Sequence, residues 1–346
     1  MIRVFVLVAC CVLSWSSSAQ NKELDALERA QFVERFTHYF FVWPVVKERT
    51  TSFTIQNVSG SQKLVYKPDV SYHLGAGVFI FGVGAQFVLA LPVSDNRERL
   101  YGHSNAFDLQ ANILGEYWGI DAFTQNYNGY YWEDKNKPLS TTAVHPQRKD
   151  IGTWNNGING IYFFNKRKYS MRSTYNYYER QLKSAGSFII SANINAFSLR
   201  ADSAIYGAPY ESLLGPGANF QRLDYLTISA APGYAHTFVI HQKFFIGGAV
   251  AYGPAFNKLE YNTGQQPWKS AAQLNTFLDL RLSGGYNSEH FFTGVAYSHQ
   301  TRNINYEGVM FLSSNDAIKF SIGYRFKEVG ILKRRAFDIF RPKSSL

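Results

Sequence analysis

From about residue 52 onward the chain alternates apolar and polar residues with a period of two, the pattern of strands whose faces meet different surroundings. The clearest case is Asp316 to Lys327. There Ile318, Phe320, Ile322, Tyr324 and Phe326 oppose Lys319, Ser321, Gly323, Arg325 and Lys327. Between Ala271 and Tyr286, Leu274, Leu278, Leu280, Leu282 and Tyr286 oppose Gln273, Asn275, Asp279, Arg281 and Ser283. Phe107, Leu109, Ala111, Ile113 and Tyr117 oppose Asp108, Gln110, Asn112 and Glu116, and Phe188, Ile190, Ala192 and Ile194 oppose Ser191, Asn193 and Asn195. A further alternating run sets Tyr169, Met171, Tyr175 and Tyr177 against Ser170, Arg172, Thr174, Asn176 and Arg180.

Similar runs at Lys63 to Phe79, Gly82 to Leu91, Ile120 to Trp132, Gly152 to Phe164, Leu223 to Ile240, Phe244 to Leu259 and Phe291 to Ile304 bring the count to about twelve strands, within a range of about ten to fourteen once Ser52 to Val58 is considered. Most reach or exceed the roughly 9–11 residues that a tilted strand needs to cross a bilayer. Aromatic pairs cluster at strand ends, as at Tyr117-Trp118, Phe163-Phe164, Phe244-Phe245 and Phe291-Phe292, where amphipathic rings suit a membrane interface. The expected fold is an all-β, antiparallel transmembrane β-barrel with a short N-terminal helix.

Tight connections near residues 166, 241 and 288 contrast with longer polar stretches at Ser94 to Gly102, Glu133 to Asp150, Ser203 to Gln221 and Tyr261 to Ser270. Barrels of this kind have short periplasmic turns and long external loops. The three tight turns cannot share one side, however, if Tyr169 to Arg180 and the run from Phe188 are both wall strands. Either one strand is miscounted or one long loop is periplasmic.

The first residues read as an address. Arg3, the apolar run Val4 to Leu13 and small residues at Ser17 and Ala19 predict a signal peptide over 1–19, with the mature chain starting at Gln20. Leu7-Val8-Ala9-Cys10 also fits a lipoprotein cleavage pattern, which leaves lipidation of Cys10 as an alternative. Residues 20–51 form an expected periplasmic segment, with Leu24, Leu27, Phe32 and Phe36 among charged residues predicting an amphipathic helix before Pro44. The barrel is expected over 52–328 and a basic tail over 329–346.

Composition sharpens this picture. Of 346 residues, 16% are aromatic and only 17% charged, against roughly 25% charged in soluble domains, which disfavours disorder and coiled coil. Downstream of residue 20 polar residues interrupt every apolar run, so any membrane crossing is by strands. Lys and Arg number 35 against 25 Asp and Glu, a net charge of +10. These charges alternate along strands or sit in turns and the tail rather than forming a stripe, which argues against nucleic acid.

The segments Tyr66-Lys67-Pro68, Gly75-Ala76-Gly77, Phe107-Asp108-Leu109-Gln110, Tyr127-Asn128-Gly129-Tyr130-Tyr131, Tyr178 through Phe188 and Ala231-Pro232-Gly233-Tyr234-Ala235 carry a resemblance. Over roughly residues 45 to 328 the chain resembles an uncharacterised family of exported proteins, domain of unknown function 4421. The resemblance implies a Gram-negative outer-membrane setting. It implies no activity and brings no catalytic or ligand residues.

Chemistry must therefore come from the inward face. Arg172, Arg180, Arg281, Arg302, Lys319 and Arg325 outnumber Glu116, Glu179 and Asp279 there, which predicts either an anion-favouring narrow pore or an ion-paired filled barrel. No cofactor or metal is expected, because the eight His show no pair at ligand spacing on one strand face. His103-Ser104-Asn105 and Ser298-His299 invite a rim-hydrolase alternative, and a soluble periplasmic binding barrel is a third reading. The expected partners are outer-membrane lipid and lipopolysaccharide, the barrel-assembly machinery and small solutes.

Overall fold

A strand with one apolar and one polar face is stable only where those faces meet different media, and long strands of this kind solve the problem by closing into a cylinder. The computed structural model describes residues 25–70, 72–80, 83–206, 210–215, 219–262 and 267–333. The expected signal peptide and residues 334–346 of the basic tail lie outside these.

In chain order the elements are α1 (25–32), β1 (Val33–Arg35), β2 (Tyr39–Asn57), β3 (Lys63–Lys67), β4 (His73–Ile80), β5 (Val83–Ala90), α2 (Asp95–Tyr101), β6 (Asn105–Leu114), β7 (Trp118–Asp134), β8 (Gln147–Phe163), α3 (Arg172–Tyr175), β9 (Glu179–Gln181), β10 (Ala185–Arg200), α4 (Glu211–Leu214), β11 (Arg222–Ile240), β12 (Phe244–Asn262), β13 (Lys269–Asn287), β14 (Phe291–Tyr306) and β15 (Val309–Lys327). Ten of them, β2, β3, β7, β8 and β10 through β15, close an antiparallel ring through the ladder between β15 and β2. Three more extend the wall. β4 pairs with Phe41–Lys47 of β2, β5 pairs with β4, and β6 pairs with Gly119–Asn128 of β7. The single ring of about twelve strands is thus corrected to a ten-stranded ring with three added strands. Beside the first half of β2, β4, β5 and β6 take the place that β3 holds beside its second half.

The outward face carries a continuous apolar band. On β12 it runs Phe244, Ile246, Val250, Tyr252 and Phe256 before giving way to Lys258 and Glu260, which pair at 3.0 Å. β15 presents Phe326, Tyr324, Ile322, Phe320 and Ile318, then Asp316. Outward aromatics girdle the end at which β2 begins and β15 finishes, with Phe40 stacked on Phe326 at 5.2 Å and Phe244 edge-on to Tyr286 at 5.0 Å.

That end also has the short connections 115–117, 241–243 and 288–290, whereas the longer connections 91–104 and 135–146 and the described residues of 201–221 lie at the other. The tightest hairpin at the far end, Glu307-Gly308, has φ of 42° and 79°; a two-residue turn of this hand needs positive φ at both positions and favours glycine.

Several expectations change here. Tyr169 to Arg180 is not a wall strand: residues 164–184 fold into the lumen, carrying α3 and β9. Both sets of residues are buried there: Tyr169, Met171 and Tyr177 are each only 3% exposed, and Ser170 and Thr174 are 1% and 2% exposed. Removing this strand from the count places turns 166, 241 and 288 at one end, which resolves the parity conflict. The expected run Lys63 to Phe79 splits at Pro68-Asp69-Val70 into β3 and β4. The wall begins at Tyr39 rather than 52, and the predicted helix ends at residue 32, where Val33–Arg35 pair with Glu179–Gln181.

The interior is layered. At the long-loop end, Ile205, Tyr206, Leu214 and Phe220 fold inward onto Phe53, Tyr66, Phe197, Tyr225 and Phe311. Phe53 stacks on Tyr66 at 4.6 Å, and the Tyr66 hydroxyl donates to the Ile205 carbonyl at 2.7 Å. At the opposite end the 164–184 plug packs on Phe41, Phe79, Phe245 and Phe292. Between these two caps lies a polar layer.

Candidate functional site

The polar layer contains a cavity of about 640 Å³. Its wall includes Lys47 and Arg49 of β2, His73 of β4, Gln86 of β5, Gln110 of β6, Asp121 of β7, Arg281 of β13 and Lys319 of β15, and the plug's Tyr175 forms part of its floor. Among the described residues no ladder joins β5 to β6. Both unpaired edges line the cavity, Gln86 to Val88 on one side and Leu109 to Leu114 on the other, so the cavity's mouth is in the side of the wall.

Two arginines in the cavity are matched by carboxylates. Arg49 Nη1 lies 2.5 Å from Asp108 Oδ1, and Gln125 and the Tyr127 hydroxyl donate to the other oxygen of that carboxylate. Arg281 reaches Asp121 through Nη2 and Asp279 through Nε, each at 3.1 Å, while Ser191 donates to Asp279. The lysines are different. Lys47 Nζ donates to the Gln110 side-chain oxygen at 2.9 Å, and Lys319 Nζ donates to the Tyr175 carbonyl at 2.9 Å. Among the described residues no carboxylate lies within 4.0 Å of either ammonium.

Lys319 and Lys47 are Cα partners across β15 and β2, and Lys47 and His73 are Cα partners across β2 and β4. Three basic side chains therefore stand side by side on the inner face of three adjacent strands. Gly77, two residues beyond Gly75 on β4, keeps the neighbouring space open: a Cβ there would lie 2.0 Å from the Trp43 ring, so only glycine lets that ring lie flat on the wall.

Of the residues singled out in the sequence, Asp279, Arg281, Arg302, Lys319 and Arg325 point inward from the wall. Arg302 is fully buried, bonded to the Asn193 side chain at 3.0 Å and lying over the Phe277 ring. Arg325 is also fully buried and clamps the plug, donating to the carbonyls of Tyr177 at 2.5 Å and Ser288 at 2.6 Å. Arg172 and Arg180 sit on the plug rather than the wall, paired with Glu179 at 3.3 Å and Glu34 at 2.7 Å. Glu116 is corrected: it lies in the turn between β6 and β7, half exposed, and pairs with Arg35 at 2.6 Å.

The residues of the hydrolase alternative do not converge. The Ser104 hydroxyl donates to the Gly129 carbonyl, and His103 sits between Glu98 and Asn105. Ser298 faces the lumen, whereas its neighbour His299 faces outward and pairs with Asp316 at 2.8 Å.

Sequence reasoning missed Lys47, Arg49 and His73. The first half of β2 packs Phe41, Trp43 and Val45 on the plug while Phe40, Val42 and Val46 face outward, so both faces are apolar and no alternation marks it as a strand. Pro44 adds to the disguise, since proline is unusual inside strands.

The sequence profile of domain of unknown function 4421 (DUF4421) matches residues 24–326. The chain belongs to the DUF4421 family. No curated protein matches its sequence. Solved structures similar to this DUF4421 chain include the outer membrane protease OmpT of Escherichia coli, at 8% identity and TM-score 0.36 over 85% of this chain and 98% of that one. The translocator domain of the autotransporter NalP of Neisseria meningitidis is similar at 9% identity and TM-score 0.35, over 90% and 96%. The outer membrane protein OprG of Pseudomonas aeruginosa is similar at 8% identity and TM-score 0.22, over 85% and 98%.

Proposed function

We propose that this DUF4421 protein is a barrel of the Gram-negative outer membrane, exported by a cleaved signal peptide, filled along its axis and open to the membrane at its side. Its task is to hold a small amphipathic molecule in the cavity between β5 and β6. Lipid is then its surroundings, and the barrel-assembly machinery its route of insertion.

The apolar outer band with its aromatic girdle supports the location, since a bilayer demands both. The filled ends argue against steady axial flow: an aromatic cap closes one and the 164–184 plug the other.

The unpaired edges of β5 and β6 carry the functional reading. Backbone N–H and C=O groups facing hydrocarbon without partners are costly, so irregular edges at membrane depth are tolerated where they line a polar cavity or meet a polar ligand. Here they do the first and are placed for the second.

The test is photo-capture. Gln86 is exposed, lines the cavity and shares the inward face with its β4 partner Gly77. With a benzophenone amino acid at this position, irradiation in phosphatidylcholine vesicles is expected to give a lipid adduct. Absence of the adduct in correctly folded protein would contradict a side entrance.

A further inference from the structure

We infer that the side cavity recognises an anionic oxygen-rich head group, a phosphate ester above all, with the tails of the same lipid leaving between β5 and β6. The inference rests on the side-entrance reading and adds to it the chemistry of the occupant.

Lys47 and Lys319 stand directly opposite one another across a single ladder. Like charges in that position repel and destabilise the pairing of their strands. Two nearby carboxylates that could neutralise them, on Asp108 and Asp121, are engaged by Arg49 and Arg281. Counted over the polar layer, Lys47, Arg49, Arg281, Arg302 and Lys319 face Asp108, Asp121 and Asp279, five cations against three carboxylates. Lys47, Lys319 and Arg302 have no carboxylate partner among the described residues, and of these three only the two lysines line the cavity.

Each ammonium has three N–H donors and uses one on a neutral oxygen. The two lysines therefore present free donors and excess positive charge to the same cavity. An oxyanion placed there would bridge both ammoniums and turn a repulsive contact into charge-assisted hydrogen bonds, the strong class.

The same cavity is lined at its mouth by Phe87, Leu109 and Ile113, whose side chains are exposed on the apolar outer face. A soluble anion has no use for that margin. A lipid does, because its head can reach the lysines while its tails remain in hydrocarbon.

The experiment uses the purified full chain in detergent micelles and titrates three probes: dioctanoyl phosphatidic acid, dioctanoylglycerol with the same tails and no phosphate, and inorganic phosphate. The phosphatidic acid is expected to bind at least about tenfold more tightly than either of the others, and K47Q/K319Q to weaken it by at least about tenfold. K47R/K319R, which keeps the charges, should retain binding and so separates recognition from folding.

Inorganic phosphate binding as tightly as the lipid would overturn the lipid assignment. So would equal binding of dioctanoylglycerol, or a K47Q/K319Q variant with unchanged affinity. Gln86 capture of neutral phosphatidylcholine distinguishes the two levels: if it persists while head-group discrimination is absent, the side entrance stands and this inference fails. A protein adduct in place of a lipid adduct overturns both.

Discussion

Arg29 Nη2 on α1 lies 2.8 Å from Glu179 Oε2 on β9, and the two side chains are 6% and 1% exposed. This buried pair ties the N-terminal helix to the plug before the chain enters the wall. Glu179 also receives Arg172 at 3.3 Å and the Ser170 hydroxyl at 2.5 Å, so one carboxylate organises much of the segment that fills the lumen.

Glu179→Ala therefore strands buried positive charge. Breaking such a pair from one side costs about 3–5 kcal/mol. The expected outcome is a barrel that keeps its heat-modifiable gel mobility while hydrogen exchange in residues 164–184 rises sharply. Unchanged protection there would show that apolar packing on Phe292 and Phe79 holds the plug unaided.

The outer face sets a second expectation. Val250 lies midway along the apolar band of β12, and Glu260 lies beyond it. Val250→Arg should lower folding stability in lipid by about 2–4 kcal/mol, and Glu260→Arg by about 0–1 kcal/mol. Equal costs, measured by urea titration in vesicles, would mean that the band does not mark bilayer depth.

How much of this was legible depended on what each strand touches. β15 could be read directly, because Ile318 to Phe326 meet one medium and Lys319 to Arg325 another. Tyr169 to Arg180 alternates just as well in sequence yet is plug, with Arg172–Tyr175 helical and with Ser170 and Thr174 as buried as Tyr169 and Met171. Lys319 was therefore readable as an inward cation, but its partner Lys47 was not: local patterning carries no cross-strand register, and the preceding residues of β2 are apolar on both faces.

A pH effect belongs to the tight turn at the long-loop end. Lys269 donates to Glu307 at 2.9 Å and, with the Tyr261 hydroxyl, holds its carboxyl below the ordinary value of 4.5. A lowered folded-state value gives stabilisation that is present above the unfolded value and is lost as pH falls through the folded one. The pair is surface-exposed, so the effect stays below about 1 kcal/mol. Hydrogen-exchange protection at residues 306–309, corrected for the intrinsic rate at each pH, should fall on acidification below pH 4.5, and Glu307→Gln should abolish that dependence. The same loss of protection in the Gln variant would place its origin elsewhere.

The sharpest division is between a filled barrel and a channel, and planar-bilayer recording of the purified protein decides it. The wild type is expected to insert without steady current, and so is a variant lacking residues 169–181, because the aromatic cap still closes the long-loop end. Stepwise current from the intact wild type would contradict the account, because neither the aromatic cap nor the plug could then close the lumen as described.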